Sequence, residues 1–156
     1  MKKFIVILLV LLFSSSCLAA DIQFLPDINQ IYTKYKDSNK LELMAGIISS
    51  IAVHELSHIA MLEINNVDYN ISWQGMSGRG KRDYQSDMAG FVGQNIVGFL
   101  LPRKSDFSLG YNTCTFLATI TYPLRIENGD FGRNGRMLEW GIASLVGTVN
   151  IIRIEW

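Results

Sequence analysis

The chain contains two histidines, His54 and His58, and they fall four residues apart in the run 52-AVHELSHIA-60, with Glu55 directly after the first. Four residues along an α-helix turn through 400°, so both imidazoles project from nearly the same side, one turn apart, and can share one metal ion. Glu55 is about 100° around from His54 and can reach a water that the ion holds, which is the position of a general base. Zinc suits this set. It lowers the pKa of its bound water toward ~7, a carboxylate takes the proton as that water attacks a peptide carbonyl, and the same ion polarises the carbonyl. Catalytic zinc needs three protein ligands and one open position, and HELSH supplies two. The bland reading is a pair of histidines with no metal. Random placement would produce this spacing, with glutamate after the first histidine, about once in two thousand. Three ionisable groups in an apolar helix are also costly unless paired or metal-bound, so the expectation is a zinc site.

The helix that must carry the motif is predicted over Leu41 to Ile64, which has no proline and one glycine. It is about 24 residues, or ~36 Å, long. Between Leu43 and Leu62 its only strongly polar groups are His54, Glu55 and His58. A segment so apolar all round is central to a core or lies inside a bilayer. After Asn65 and Asn66 the period switches, since Val67, Tyr69, Ile71 and Trp73 alternate with polar residues, which predicts one short strand over 67–73. Gly75 to Arg82 reads as a flexible basic loop. A second helix is predicted from Asp83 to Leu101, stopped by Pro102, with Asp87, Gly90 and Gln94 on one face. Apolar stretches Leu109 to Leu124 and Met137 to Ile152 follow, separated by the loop 125-RIENGDFGRNGR-136. Residues 21–40, with the polar run YTKYKDSNK, read as a solvated lead-in. The fold class expected is mainly α with one short strand or hairpin, a compact helical domain for which a soluble and a membrane-embedded form both stay open.

The first twenty residues have a basic start at Lys2 and Lys3, an apolar run from Phe4 to Phe13 and small residues up to Ala20. This is the layout of a signal peptide, which predicts residues 1–20 as leader and 21–156 as a single metallopeptidase-like domain, exported to a periplasmic or extracellular space or embedded in a membrane. Lipidation of Cys17 is a minor alternative; Cys114 reads as a small core residue. Fourteen basic residues balance fourteen acidic ones, so nothing points to nucleic acid. Basic residues fall on both sides of the apolar segments, and the loop-charge rule sets no orientation.

Two family resemblances supply the third ligand. The run 83-DYQSDMAGF-91 is similar to the Glu-x-x-Ala/Ser-Asp pattern of gluzincin metallopeptidases, with aspartate in place of glutamate. That resemblance implies Asp83 as ligand and Asp87 as the partner that orients a histidine. The order IISSIAVHELSHIAML, VDYNISW, MAGFVGQNIVGFLL and YPLRIENGDFG covers more of the chain and resembles the site-2 protease family of intramembrane zinc metalloproteases. It implies His54 and His58 as ligands, Glu55 as base and Asp130 as third ligand, ahead of Asp87 and then Asp83. The function expected is zinc-dependent peptide-bond hydrolysis on a peptide or protein substrate. The alternative is a non-enzymatic secreted or membrane helical protein with a degenerate or structural metal site. The edge of strand 67–73 could pair with an extended substrate, and loop 75–82 could cover the site, although packing and a solvated connection are the plainer roles.

Overall fold

The computed structural model describes residues 26–72, 75–78, 84–121 and 137–156. The predicted leader, the loop residues 79–82, the Tyr122-Pro123 turn and the loop 125–136 lie outside the described residues. Five helices and one hairpin are described: α1 (Ile28–Asp37), α2 (Lys40–Ile64), β1 (Tyr69–Ser72), β2 (Gly75–Gly78), α3 (Tyr84–Leu100), α4 (Asp106–Thr121) and α5 (Met137–Ile152). The protein is mainly helical, as its sequence predicts. The chain divides into two units, one ending at Lys36 and including Trp156, the other running from Asp37 to Glu155.

Two sequence expectations need correction. The lead-in contains helix α1, because Ile28, Ile31, Tyr32 and Tyr35 recur at helical spacing and Asp27 caps the first turn by accepting from the Gln30 amide at 2.7 Å. The first half of the basic loop is strand β2, which pairs antiparallel with β1 in the register Tyr69 to Gly78 and Ser72 to Gly75. Backbone hydrogen bonding suffices for that ladder, so the lack of β-branched side chains in GMSG does not prevent it.

Helix α2 begins where Asn39 accepts hydrogen bonds from the amides of Leu41 and Glu42, while the Asn39 amide donates to Asp106 at the start of α4 at 2.8 Å. The starts of α2 and α4 therefore lie together. At its other end α2 stops in a reverse-turn cap: the Asn66 amide bonds to Glu63 O, the Val67 amide to Leu62 O, and Asn66 takes φ 52°. Asparagine tolerates this left-handed conformation, and the chain leaves the helix there toward the hairpin. Tyr69 then donates to the Glu63 carboxylate at 2.6 Å, and that hydrogen bond holds its phenol above the usual range. A neutral phenol is what the bond needs, so the tether is intact at neutral pH and is lost only as alkali titrates the raised group.

In the main unit α2 packs on α3 and α4, and α5 packs on the same two helices. The closest approach is between α2 and α4, where Gly46 faces the Phe107 carbonyl and Gly110 faces the Leu43 carbonyl, leaving no room for a Cβ on either. The side chains are distributed unusually for a helical body. Ser50, Gln94, Asn95, Asn112, Thr115, Thr119 and Asn150 are buried between helices, whereas Leu41, Ile48, Leu56, Ile96, Phe99, Ile142 and Leu145 are exposed outside them. Asn150 donates to Asn95 O, Asn112 donates to Gly98 O, and Trp140 donates to Thr119 O, so the interhelical contacts are largely polar.

Gly46→Ala should force α2 and α4 apart, since its methyl would meet the Phe107 carbonyl and lie 2.7 Å from the Tyr111 amide. A loss of about 1–3 kcal/mol is expected from such overpacking. Gly141→Ala, with nothing within 4 Å of its Cβ, should leave stability unchanged or raise it by up to about 1 kcal/mol. Thermal unfolding of the two variants beside the parent protein checks the contrast.

Candidate functional site

Helical spacing does bring the two histidines together. On α2 the Nε2 atoms of His54 and His58 are 3.1 Å apart, with their rings 79° from parallel. An ion ~2.0–2.1 Å from each nitrogen would see them about 100° apart, close to the tetrahedral value that zinc adopts. The separation thus fits two ligands of one ion. It equally suits a single shared proton in the metal-free pair.

Which nitrogen of His54 is available follows from its neighbour across the helix interface. His54 Nδ1 lies 3.0 Å from Gln94 Oε1 on α3. The orientation of the Gln94 amide is fixed in turn, because its Nε2 donates to the Ser50 carbonyl and to Ser50 Oγ, both at 2.9 Å. A carbonyl can only accept, so the oxygen of Gln94 must face His54. His54 then carries its proton on Nδ1 and directs the Nε2 lone pair toward His58. Ser50 Oγ also bonds Thr115 Oγ1 on α4 at 3.0 Å, and Thr115 is bonded to the Tyr111 carbonyl. A chain of buried hydroxyls and amides across three helices therefore sets one imidazole tautomer.

Glycine on α3 makes the approach to α2 close enough for this. A Cβ at Gly90 would lie 2.5 Å from His58 Nε2 and 2.7 Å from His54 Nε2, and one at Gly93 would collide with Ser57. Phe91 closes one side, its ring edge-on to His54 with centroids 4.8 Å apart. His58 and Gln94 are buried, at 7% and 2% exposure, and Glu55 is exposed on the outer flank.

No family model, curated protein or solved structure matches this chain.

The structure brings His54 and His58 together and puts Glu55 beside them in sequence on the exposed flank. Among the described residues no third histidine, cysteine or carboxylate completes a metal-binding group. Asp83 and Asp130 lie outside the described residues. Asp87 belongs to α3, three residues before Gly90, and its side chain is likewise outside them. Gln94 was legible as a member of the Asp87 and Gly90 face, but not as the partner of His54. Ser50, Thr115 and Phe91 carried no local signal, since a serine, a threonine and a phenylalanine in apolar helices read as packing.

Gln94→Leu removes the acceptor for His54 Nδ1 and, for a zinc ion held by the pair, should weaken binding roughly 10- to 100-fold. Gln94→Glu keeps the acceptor and should lose less. Chelator competition measures both, with far-ultraviolet dichroism to confirm that the helices persist.

Proposed function

We propose that the chain is a zinc-dependent hydrolase of peptide bonds, with its helical body set in a membrane. The observation that carries the reading is the convergence of His54 and His58 Nε2 at 3.1 Å with the His54 tautomer fixed by Gln94. Two imidazoles held this close, His54 with its proton on Nδ1 and its lone pair on Nε2, have the form of the first two ligands of one ion. When bound, zinc would supply the Lewis acidity that makes water a nucleophile near neutral pH. His54 and His58 would hold it, and Gln94 would keep the His54 ring from turning. The Glu55 carboxylate accepts the proton of the attacking water and returns it to the leaving amide nitrogen, a transfer commonly contributing 10²- to 10⁴-fold. For the third ligand, Asp130 comes from the resemblance to the site-2 family, and Asp87 gains support from its place one turn before Gly90.

The membrane part of the proposal rests on the distribution of side chains. Helix α2 spans 25 residues and is long and apolar enough to cross a bilayer, with 17% of its most apolar stretch buried. Large aliphatic side chains face outward on α2, α3 and α5 while amides and hydroxyls face one another inside. In water each exposed leucine or isoleucine forgoes about 1.5–3 kcal/mol of burial. Surrounded by hydrocarbon, the same exterior costs nothing and the polar interior becomes the favourable arrangement.

A second reading is a non-enzymatic helical protein in which the pair is a degenerate or structural site, favoured by the absence of a third ligand among the described residues. Glu55→Gln separates the two. Under the hydrolase reading the variant keeps its zinc and loses at least about 10²-fold in turnover of quenched-fluorescent peptides; under the structural reading no peptide is cut by either form. Purified protein should carry one zinc, lost in His54→Ala and in His58→Ala. Of Asp87→Asn, Asp130→Asn and Asp83→Asn, the one that abolishes zinc retention marks the third ligand. If the purified protein takes up no zinc at any of these positions intact, both metal readings fail.

A further inference from the structure

The hydrogen bonds behind His54 continue past Gln94, and each has a definite direction. Gln94 Nε2 donates to Ser50 Oγ at 2.9 Å, and since an amide nitrogen cannot accept, the Ser50 hydrogen must point elsewhere. Its partner is Thr115 Oγ1 on α4, 3.0 Å away. Thr115 directs its own hydrogen to the Tyr111 carbonyl at 3.1 Å, which leaves it an acceptor toward Ser50. Every donor therefore points the same way, from His54 Nδ1 to Gln94, from Gln94 to Ser50, from Ser50 to Thr115, and from Thr115 to the backbone of α4. Ser50 and Thr115 are 0% exposed and Gln94 is 2% exposed, so bulk water does not compete for these bonds.

The chain has one alternative sense. With the Gln94 amide turned over, its nitrogen would donate to His54 Nδ1 and Ser50 would donate to the Gln94 oxygen. His54 would then carry its proton on Nε2, the nitrogen that faces His58 and that an ion would need. Two groups oppose this sense. The Ser50 carbonyl, 2.9 Å from the Gln94 nitrogen, would face an oxygen instead. Thr115 Oγ1 would lie 3.0 Å from Ser50 Oγ with no hydrogen between them unless it gave up the Tyr111 carbonyl. We propose that Thr115 is a positioning residue for the metal-holding imidazole, acting from a third helix through Ser50 and Gln94. The inference rests on the metal reading of the histidine pair and deepens it: by accepting the Ser50 hydrogen, Thr115 keeps His54 in the tautomer whose Nε2 lone pair a zinc ion takes. Without that acceptor the buried Ser50 hydroxyl is stranded in the observed sense and satisfied in the turned-over one, so the preference between tautomers shrinks. The packing of α2 on α4 provides the contact. Gly46 lies against the Tyr111 amide, and one turn on from each stand Ser50 and Thr115.

The test uses full-length protein in detergent micelles with isotope-labelled histidine. In zinc-free protein, nitrogen NMR of the imidazoles reports which ring nitrogen of His54 is protonated, the His58 signals being those that His58→Gln removes. The parent should show the proton on Nδ1. Thr115→Val keeps the shape of the side chain but removes the acceptor, and should move part of the population to Nε2. Zinc affinity, measured by chelator competition, should fall roughly tenfold with it. Thr115→Ser restores the hydroxyl and should return both readouts to the parent values. Thr119→Val removes a buried hydroxyl that is bonded to the Thr115 carbonyl, and should change neither, which separates the relay from a general loss of interior polarity. The proposal is overturned if Thr115→Val leaves the His54 nitrogens as in the parent, or if Thr115→Ser or Thr119→Val disturbs them as much as the valine at 115 does. A parent protein that binds no zinc would end the metal reading, and the His54 nitrogen signals would still decide the role of Thr115.

Discussion

The hydrogen bonds of Gln94 are the constraint on which the rest of the main unit depends. Its amide reaches from α3 to α2 and touches two points one turn apart, the Ser50 carbonyl and the His54 ring. To make both contacts α3 must lie close against α2, which is why glycine stands at 90 and 93, opposite the histidines and Ser57. Burying a primary amide costs several kcal/mol if it is left unpaired, so the arrangement has little freedom to relax. Helix spacing, glycine placement and imidazole tautomer are consequences of one residue seeking partners away from water.

This explains which parts of the site could be read from the sequence. The His54 and His58 pairing depends on 3.6 residues per turn within one helix, and that is local information. The long apolar run also announced α2, though its start lies at Lys40 because Asn39 caps it. Helix α4 starts at Asp106 rather than at Leu109 for a similar reason: Ser105 Oγ accepts from the Ser108 amide, so polar residues form the first turn ahead of the apolar run. The Gln94 to Ser50 bridge spans 44 residues. Nothing in either residue's neighbourhood names the other.

The polar interior has a further cost that its hydrogen bonds do not fully meet. Asn112 Oδ1 and Asn150 Oδ1 are buried with no hydrogen-bond partner among the described residues, although the nitrogens of both amides are bonded to backbone carbonyls of α3. Carbonyls left in this state are the usual places for an internal water.

The two glycine contacts between α2 and α4 carry one more consequence. Gly46 and Gly110 set backbone against backbone, so at these two points the helices have no side chain between them to repack and cannot slide without collision. Helix α2 is therefore the anvil of the structure, with the histidines fixed to it. On the other side, α3 and α5 meet through side chains, Met88 and Phe91 of α3 against Trp140 and Ala143 of α5, and the unbranched Met88 can change rotamer. Of the two sides of the main unit, the one that carries the histidines is thus the one that strain on the helices would displace last.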